Sequence, residues 1–245
     1  MRILAIDVGG SNVKLNLCGE ELVRKFPSGK QLTPTRFVEQ VRALTGDWCY
    51  DAISIGVPGP VFGNVVRTQP VNLGPGWAGV ELGRYFDRPV RVMNDAAMQA
   101  LGSYQGGRML FLGLGTGLGS ALVVERVVVP LELAHLPYKK GRTFEDYVGL
   151  RGLQRLGKRK WAEAVADVVA RLTAALLPGY VVLGGGNVKK LAALPPGVLR
   201  GSNRNAFVGA RRMWEDYLWD PEPSAAHAPV ATSLAQGAPG GQRAE

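Results

Sequence analysis

The chain has 245 residues, 46% of them apolar and 20% charged, which suits a globular protein of one large domain or two modest lobes. Two cysteines, Cys18 and Cys49, exclude a disulfide framework and a cysteine metal cage, and no apolar run approaches the ~20 residues a bilayer crossing needs. The formal charge of +9 fits solubility or attraction to a polyanion, but no helix-turn-helix, zinc-finger or RNP pattern presents it to nucleic acid.

Residues 2–7 and 13–18 read as a β-hairpin around Gly9-Gly10-Ser11-Asn12. The first strand starts at once, without a leader-like segment, so the cytoplasm is the expected compartment. A third strand is predicted at 21–26. A helix over 35–45 follows, with Phe37, Val38, Val41 and Leu44 at helical spacing. The strand at 51–57 ends at Pro58-Gly59-Pro60, and a Gly/Pro-rich loop at 72–79 contains Trp77. The strand at 90–93 runs into Asn94-Asp95 and a helix ending near Gly102.

The second half repeats the opening. Strands at 109–114 and 120–124 flank a second glycine turn, Gly113-Leu114-Gly115-Thr116-Gly117-Leu118-Gly119. A linker-like segment at 131–142 precedes helices predicted over 143–156 and 161–177. The strand at 180–183 leads to Gly184-Gly185-Gly186-Asn187 and a short helix, and a last helix covers 206–219. From 220 to 245 the composition is Pro, Ala, Ser and Gly, read as a disordered tail holding His227.

Glycines between strands let backbone amides approach an anion closely, so two such turns across a cleft would grip a phosphate chain from both sides. The first turn adds a metal-orienting acid, Asp7, and a cation, Lys14. Asn94-Asp95 sits where strand passes into helix, a place for a cap and equally for a catalytic base. An aspartate at a helix N-terminus is expected to stay ionised, ready to accept a proton. Glu132 and His135, three apart in a polar segment, suit vicinal sugar hydroxyls, and Glu145 is a third acceptor in a stretch that also reads as a capping box. Gly184, Gly185 and Gly186 could offer amides at a helix N-terminus to an anion or nucleotide. Basic residues gather at Lys139, Lys140 and Arg142, at Arg155, Lys158, Arg159 and Lys160, at Lys189 and Lys190, and at Arg200, Arg204, Arg211 and Arg212.

Over residues 2–219 these motifs resemble the ROK family of bacterial sugar kinases and repressors, nearest to its polyphosphate glucokinase branch. The matching stretches are Asp7 to Lys14, Gly56 to Val61, Asn94-Asp95-Ala96, Gly113 to Gly119, Glu132-Leu133-Ala134-His135 and Leu183 to Asn187. The resemblance implies an α/β, duplicated, actin-like (ribonuclease H-like) fold whose two lobes enclose the active cleft. It implies an N-terminal lobe of 1–95 plus 204–219 and a C-terminal lobe of 96–203. Asp95 would be the general base on the sugar 6-hydroxyl. Gly59, Asn94, Glu132, His135 and Glu145 would bind the sugar. Gly9, Gly10, Ser11, Asn12, Lys14, Gly115, Thr116, Gly117 and Gly184 to Gly186 would hold the donor, with Asp7 orienting Mg²⁺ through water. A homodimer is implied as well.

Many family members carry a cysteine-rich zinc loop after the Glu-x-x-His segment. This chain has no cysteine beyond Cys49, so no such zinc is expected. Repressor members carry an N-terminal helix-turn-helix, whereas this sequence opens on a strand, so a DNA-binding repressor is not expected. The expected reaction is phosphoryl transfer from polyphosphate, or ATP, to glucose. The alternatives are an ATP-dependent kinase for fructose, mannose or an N-acetylated amino sugar, or a non-catalytic sugar-binding protein.

Overall fold

The computed structural model describes residues 1–215 and 217. The expected tail, His227 and the end of the last predicted helix lie outside the described residues.

Three antiparallel strands open the chain: β1 (Ile3–Val8), β2 (Asn12–Leu17) and β3 (Val23–Pro27). Helix α1 (Pro34–Thr45) follows, capped by Thr33, whose Oγ1 accepts the Arg36 amide at 3.3 Å, with proline at the first turn where no amide partner is lost. Its buried face of Phe37, Val38 and Val41 covers the sheet, and Phe37 meets Trp77 edge-on at 5.4 Å. Strand β4 (Ala52–Val57) adds in parallel to β1. The small ribbon β5 (Val61–Phe62) and β6 (Val65–Val66) intervenes before β7 (Val90–Asn94), which adds in parallel to β4. The sheet order is β3-β2-β1-β4-β7. β1 and β4 are buried along their whole length, hence their near-continuous apolar runs.

Helix α2 (Asp95–Ser103) leads to the second sheet, formed by β8 (Arg108–Leu114), β9 (Leu118–Val124), β10 (Val127–Leu131), β11 (Tyr180–Gly184) and β12 (Val198–Arg200). Its order, β10-β9-β8-β11-β12, repeats the first: three antiparallel strands, then two parallel ones. This is the duplication implied by the two glycine turns. Helix α5 (Asn205–Arg212) follows β12 as α2 follows β7. The two helices pack on each other and exchange sheets: α2 lies on β8 and β9, α5 on β1 and β4. A shared core of Met98, Leu101, Phe111, Ala206, Ala210 and Met213 fills the space between the sheets.

Several sequence-based expectations are corrected. The segment before the predicted linker holds β10, joined to β9 through Glu125 and Arg126 at φ 46° and 69°. That tight turn usually advertises itself by Asn or Gly, and neither is present. The helix expected over 143–156 is broken at Gly149 into α3 (Phe144–Val148) and α4 (Leu150–Leu176); α4 in turn bends at Gly157, φ 73°. Only a three-residue 3-10 turn, Val188–Lys190, follows the third glycine cluster, so no helix N-terminus stands there. Among the described residues α5 ends at Arg212, with residues 213–215 in turn and bend.

Candidate active site

β7 delivers Asn94 and Asp95 to the cleft at the start of α2. Asn94 is the cap: its Oδ1 accepts the Ala97 amide at 3.0 Å, while its Nδ2 donates to the Gly59 carbonyl at 3.1 Å. Capping and site-building therefore coexist in one side chain. Asp95 Oδ1 accepts the Ala96 amide at 2.8 Å. Its carboxyl is pushed up to about 7, chiefly by burial, next by the charge of Asp7 and further by Glu132. This corrects the expectation that the helix N-terminus keeps it fully ionised: desolvation and neighbouring carboxylates outweigh two favourable backbone hydrogen bonds.

Asp7 is 2% exposed at the end of β1. Its Oδ2 accepts from Lys14 Nζ at 3.0 Å, a consequence of the β1–β2 register that places the two directly opposite. Its Oδ1 is buried without a hydrogen-bond partner. The first turn is pinned by Gly9 N to Asn12 O (3.0 Å), by Ser28 Oγ to Gly9 O (2.7 Å) and by Ser28 N to Ser11 O (3.2 Å). In the second turn the Gly115 amide bonds the Gly113 and Gly117 carbonyls, both at 3.1 Å. The amides of Gly10, Ser11, Thr116 and Gly117 have no partner among the described residues. The turns touch: a Cβ on Gly10 would lie 2.8 Å from Thr116 Oγ1.

The third glycine cluster docks on the second turn through Asn187, whose Nδ2 donates to Gly115 O at 2.8 Å. Its glycines differ in what they do. A Cβ on Gly184 would strike the Phe111 ring at 2.6 Å, and one on Gly185 (φ +84°) the Leu114 carbonyl oxygen at 2.5 Å. Only Gly186 borders open space.

Glu132 and His135 face each other at 3.8 Å about a 3-10 turn, Leu133–His135, both well exposed. Partial burial raises the Glu132 carboxyl, His135 pulls it back and Glu145 raises it again. Glu145 rests on the second turn. Its Oε2 accepts the Leu118 amide at 3.3 Å and lies 2.1 Å from where a Gly117 Cβ would stand; its Oε1 accepts from Arg151 at 3.3 Å. The expected capping box between Thr143 and Asp146 is present, and Glu145 takes no part in it. Asp95 thus feels the charges of Asp7 and Glu132, and Glu132 that of Glu145.

Two side chains unmarked by the sequence reading also reach it. Thr68 Oγ1 lies 3.4 Å from a Cβ position on Gly59, and Asn72 Nδ2 lies 3.5 Å from one on Gly10. The only sequence signal was the Gly/Pro-rich loop around Trp77.

Of the basic residues, Lys139 pairs with Asp167 at 3.0 Å and Arg159 with Glu163 at 2.9 Å. Arg200 and Arg212 serve backbone carbonyls of Val188, Leu101 and Tyr104. Lys140, Lys158 and Lys160 are exposed, with no side-chain partner among the described residues, and the exposed Arg142 acts on Asp146 through its charge alone. Both cysteines are free, and burial pushes the Cys18 thiol up to about 12. No group of three His, Cys, Asp or Glu gathers as a metal cage, and no helix is long and apolar enough to cross a membrane, among the described residues.

A duplicated sheet topology with two touching glycine turns defines the two-lobed, actin-like fold. Solved structures agree. The inorganic polyphosphate/ATP-glucomannokinase of an Arthrobacter species superposes with a TM-score of 0.72 at 23% identity, covering 85% of this chain and 96% of that one. A ROK family glucokinase from Streptomyces griseus, in complex with glucose and AMPPNP, gives 0.72 at 17% identity, covering 87% and 99%. The fold is therefore that of the ROK sugar kinases. In sequence the chain is related to polyphosphate glucokinases. The Mycobacterium leprae protein is 25% identical over 211 residues, 77% of this chain and 64% of that protein. One from Mycobacterium tuberculosis is 27% identical over 210 residues, 76% and 77%. The match thus spans under two thirds of the Mycobacterium leprae protein. No protein-family model matches the chain.

Proposed function

We propose that this protein is a glucose kinase that transfers the terminal phosphoryl group of inorganic polyphosphate, or of ATP, to the sugar 6-hydroxyl. The carrying observation is Asp95, a carboxyl with its pKa near 7, set beside two touching glycine turns with unpartnered amides. The names of the sequence relatives support glucose as acceptor and polyphosphate as donor.

Phosphoryl transfer asks the protein mainly for position and charge neutralisation. Asn94, Gly59, Glu132, His135 and Glu145 hold the sugar hydroxyls. Asp95 Oδ2 takes the 6-hydroxyl proton as that oxygen attacks in line. The amides of Gly10, Ser11, Thr116 and Gly117 and the Lys14 ammonium neutralise charge on the transferred group and the leaving phosphate. The orphaned, buried Asp7 Oδ1 fits a hydrated Mg²⁺, a cation that needs only one or two carboxylates when phosphates supply the rest. Bound there, Mg²⁺ would neutralise donor phosphate charge.

The exchange of α2 and α5 between sheets supports lobes of 1–95 plus 204–219 and of 96–203, closing on the sugar to exclude water. Gly186, open beside Asn187 and the second turn, supports room for an adenosine and hence ATP as a second donor. We place the protein in the cytoplasm as a homodimer. The test is glucose-6-phosphate formation with Mg²⁺ and either polyphosphate or ATP as sole donor. Product with either supports the reading; no product with either, across a panel of hexoses, rejects it in favour of a sugar-binding protein.

A further inference from the structure

The loop of residues 67–77 is fastened on both sides of one residue. Leu73 and Trp77 are buried in the core beneath the first sheet. Trp77 Nε1 donates to Leu32 O at 2.8 Å, and the Trp77 amide to Gln69 Oε1 at 3.1 Å. Gln69 Nε2 reaches Gly74 O at 2.7 Å, the Gly74 amide reaches Leu32 O at 3.1 Å, and Lys30 Nζ donates to the Val71 carbonyl. The Gly74 backbone presses on Leu32 so closely that a Cβ would lie 2.9 Å from its carbonyl carbon.

Within this mounting the Asn72 side chain makes no hydrogen bond to the loop. Its amide is half-buried and has no partner among the described residues. The Nδ2 atom converges with Thr116 Oγ1 on Gly10, 3.5 and 2.8 Å from the same Cβ position. Three segments therefore meet at one point: the first glycine turn, the second, and this loop. Neither polar atom of this amide is sealed from solvent, so it stays open to an incoming ligand.

We propose that Asn72 is a donor-binding residue, the third wall of the phosphate cradle, whose Nδ2–H bonds a non-bridging oxygen of the terminal phosphoryl group. This rests on the kinase reading above. Phosphate is favoured over sugar because Gly10 and Thr116, its neighbours, belong to the phosphate turns. The sugar side is served by the same loop through Thr68, which stands beside Gly59. A neutral amide also leaves the adjacent Lys14–Asp7 pair undisturbed. The loop thus ties acceptor and donor sides to one rigid support.

The test is calorimetric binding of inorganic tripolyphosphate, with Mg²⁺, to full-length wild type, Asn72→Ala and Asn72→Asp, with melting curves as folding controls. Glucose affinity is read in parallel by tryptophan fluorescence. Loss of one hydrogen bond to a charged oxygen weakens tripolyphosphate binding about tenfold in Asn72→Ala. Asn72→Asp binds more weakly still, most of all at low salt, and glucose affinity is unchanged in both. Equal tripolyphosphate binding by wild type and Asn72→Ala overturns the assignment, as does weakened glucose binding with phosphate binding intact. Should wild type bind glucose but no phosphate donor, the kinase reading itself falls and this one with it.

Discussion

Gly102 of α2 and Gly209 of α5 meet backbone to backbone where the two helices cross between the lobes. A Cβ on Gly102 would lie 1.8 Å from the Asn205 carbonyl oxygen and 2.6 Å from the Gly209 amide; one on Gly209 would lie 1.8 Å from the Met98 carbonyl oxygen. Neither contact is with a flexible side-chain end, so neither can give way cheaply. Because Asp95 sits at the other end of α2, this crossing sets how the proposed base is held.

Alanine at either glycine forces the helices apart. The expected cost is about 1–3 kcal/mol, the range for overpacking a well-filled core. Denaturant melts of Gly102→Ala and Gly209→Ala measure it. Wild-type midpoints in both would mean the helices cross differently.

Asp95→Asn is expected to lower kcat by about 10²–10⁴, the range for removing a positioned acid–base group. It should also change stability, with a definite sign. The folded-state pKa of about 7 lies above the ordinary 3.8, so the native state binds more protons than the unfolded state between those values. Stability from this group is fully present below pH ~4, falls as pH rises and is lost above ~7. Asp95→Asn has no such slope and is expected to be the more stable protein at pH 8, by up to about 4 kcal/mol for a shift of about three units, but not at pH 4. Melts at the two pH values decide it. In wild type, kcat/KM for glucose rises with pH and levels off above about 7.

The sequence revealed the parts of the site that local patterns encode. Asp7 and Lys14 flank a hairpin turn and must face each other once β1 and β2 pair; Asn94-Asp95 marks a strand-to-helix passage that needs both a cap and a polar floor. Long-range encounters were not legible. Nothing near Asn72 states that it meets Gly10 and Thr116, and nothing near Glu145 states that it lies on Gly117. Glycine was ambiguous for the same reason: Gly184 resembles an anion loop in sequence, yet it is small to admit the Phe111 ring. The Asp95 pKa likewise depends on tertiary burial first and then on the distant Asp7 and Glu132, none of which the local helix end reveals.

Glu145 places an acid on the second turn, with Oε2 on the Leu118 amide, where a donor phosphate needs the field to be positive. Glu145→Gln is therefore expected to have opposite effects on the two substrates. The KM for glucose rises about tenfold through loss of a charged hydrogen-bond acceptor, while the donor KM stays level or falls. Initial-rate series with each substrate varied separately test this. A rise in donor KM alone would show that Glu145 orders the turn for the phosphate instead of holding the sugar.

The exposed cations test the choice of donor. Lys140, Arg142, Lys158 and Lys160 are not neutralised by an ion pair among the described residues, whereas Lys139 and Arg159 are. On the proposed reading a long polyphosphate would reach such residues outside the cleft, whereas the three phosphates of ATP, held at the glycine turns, would not. Replacing all four with glutamine is expected to raise the KM for long-chain polyphosphate at least several-fold at low salt and to leave that for ATP unchanged. Raising the salt toward 0.15 M, where the screening length is about 8 Å, narrows the difference between variant and wild type. Equal effects on both donors would mean that these residues act on the protein's overall field, and polyphosphate would then be gripped within the cleft alone.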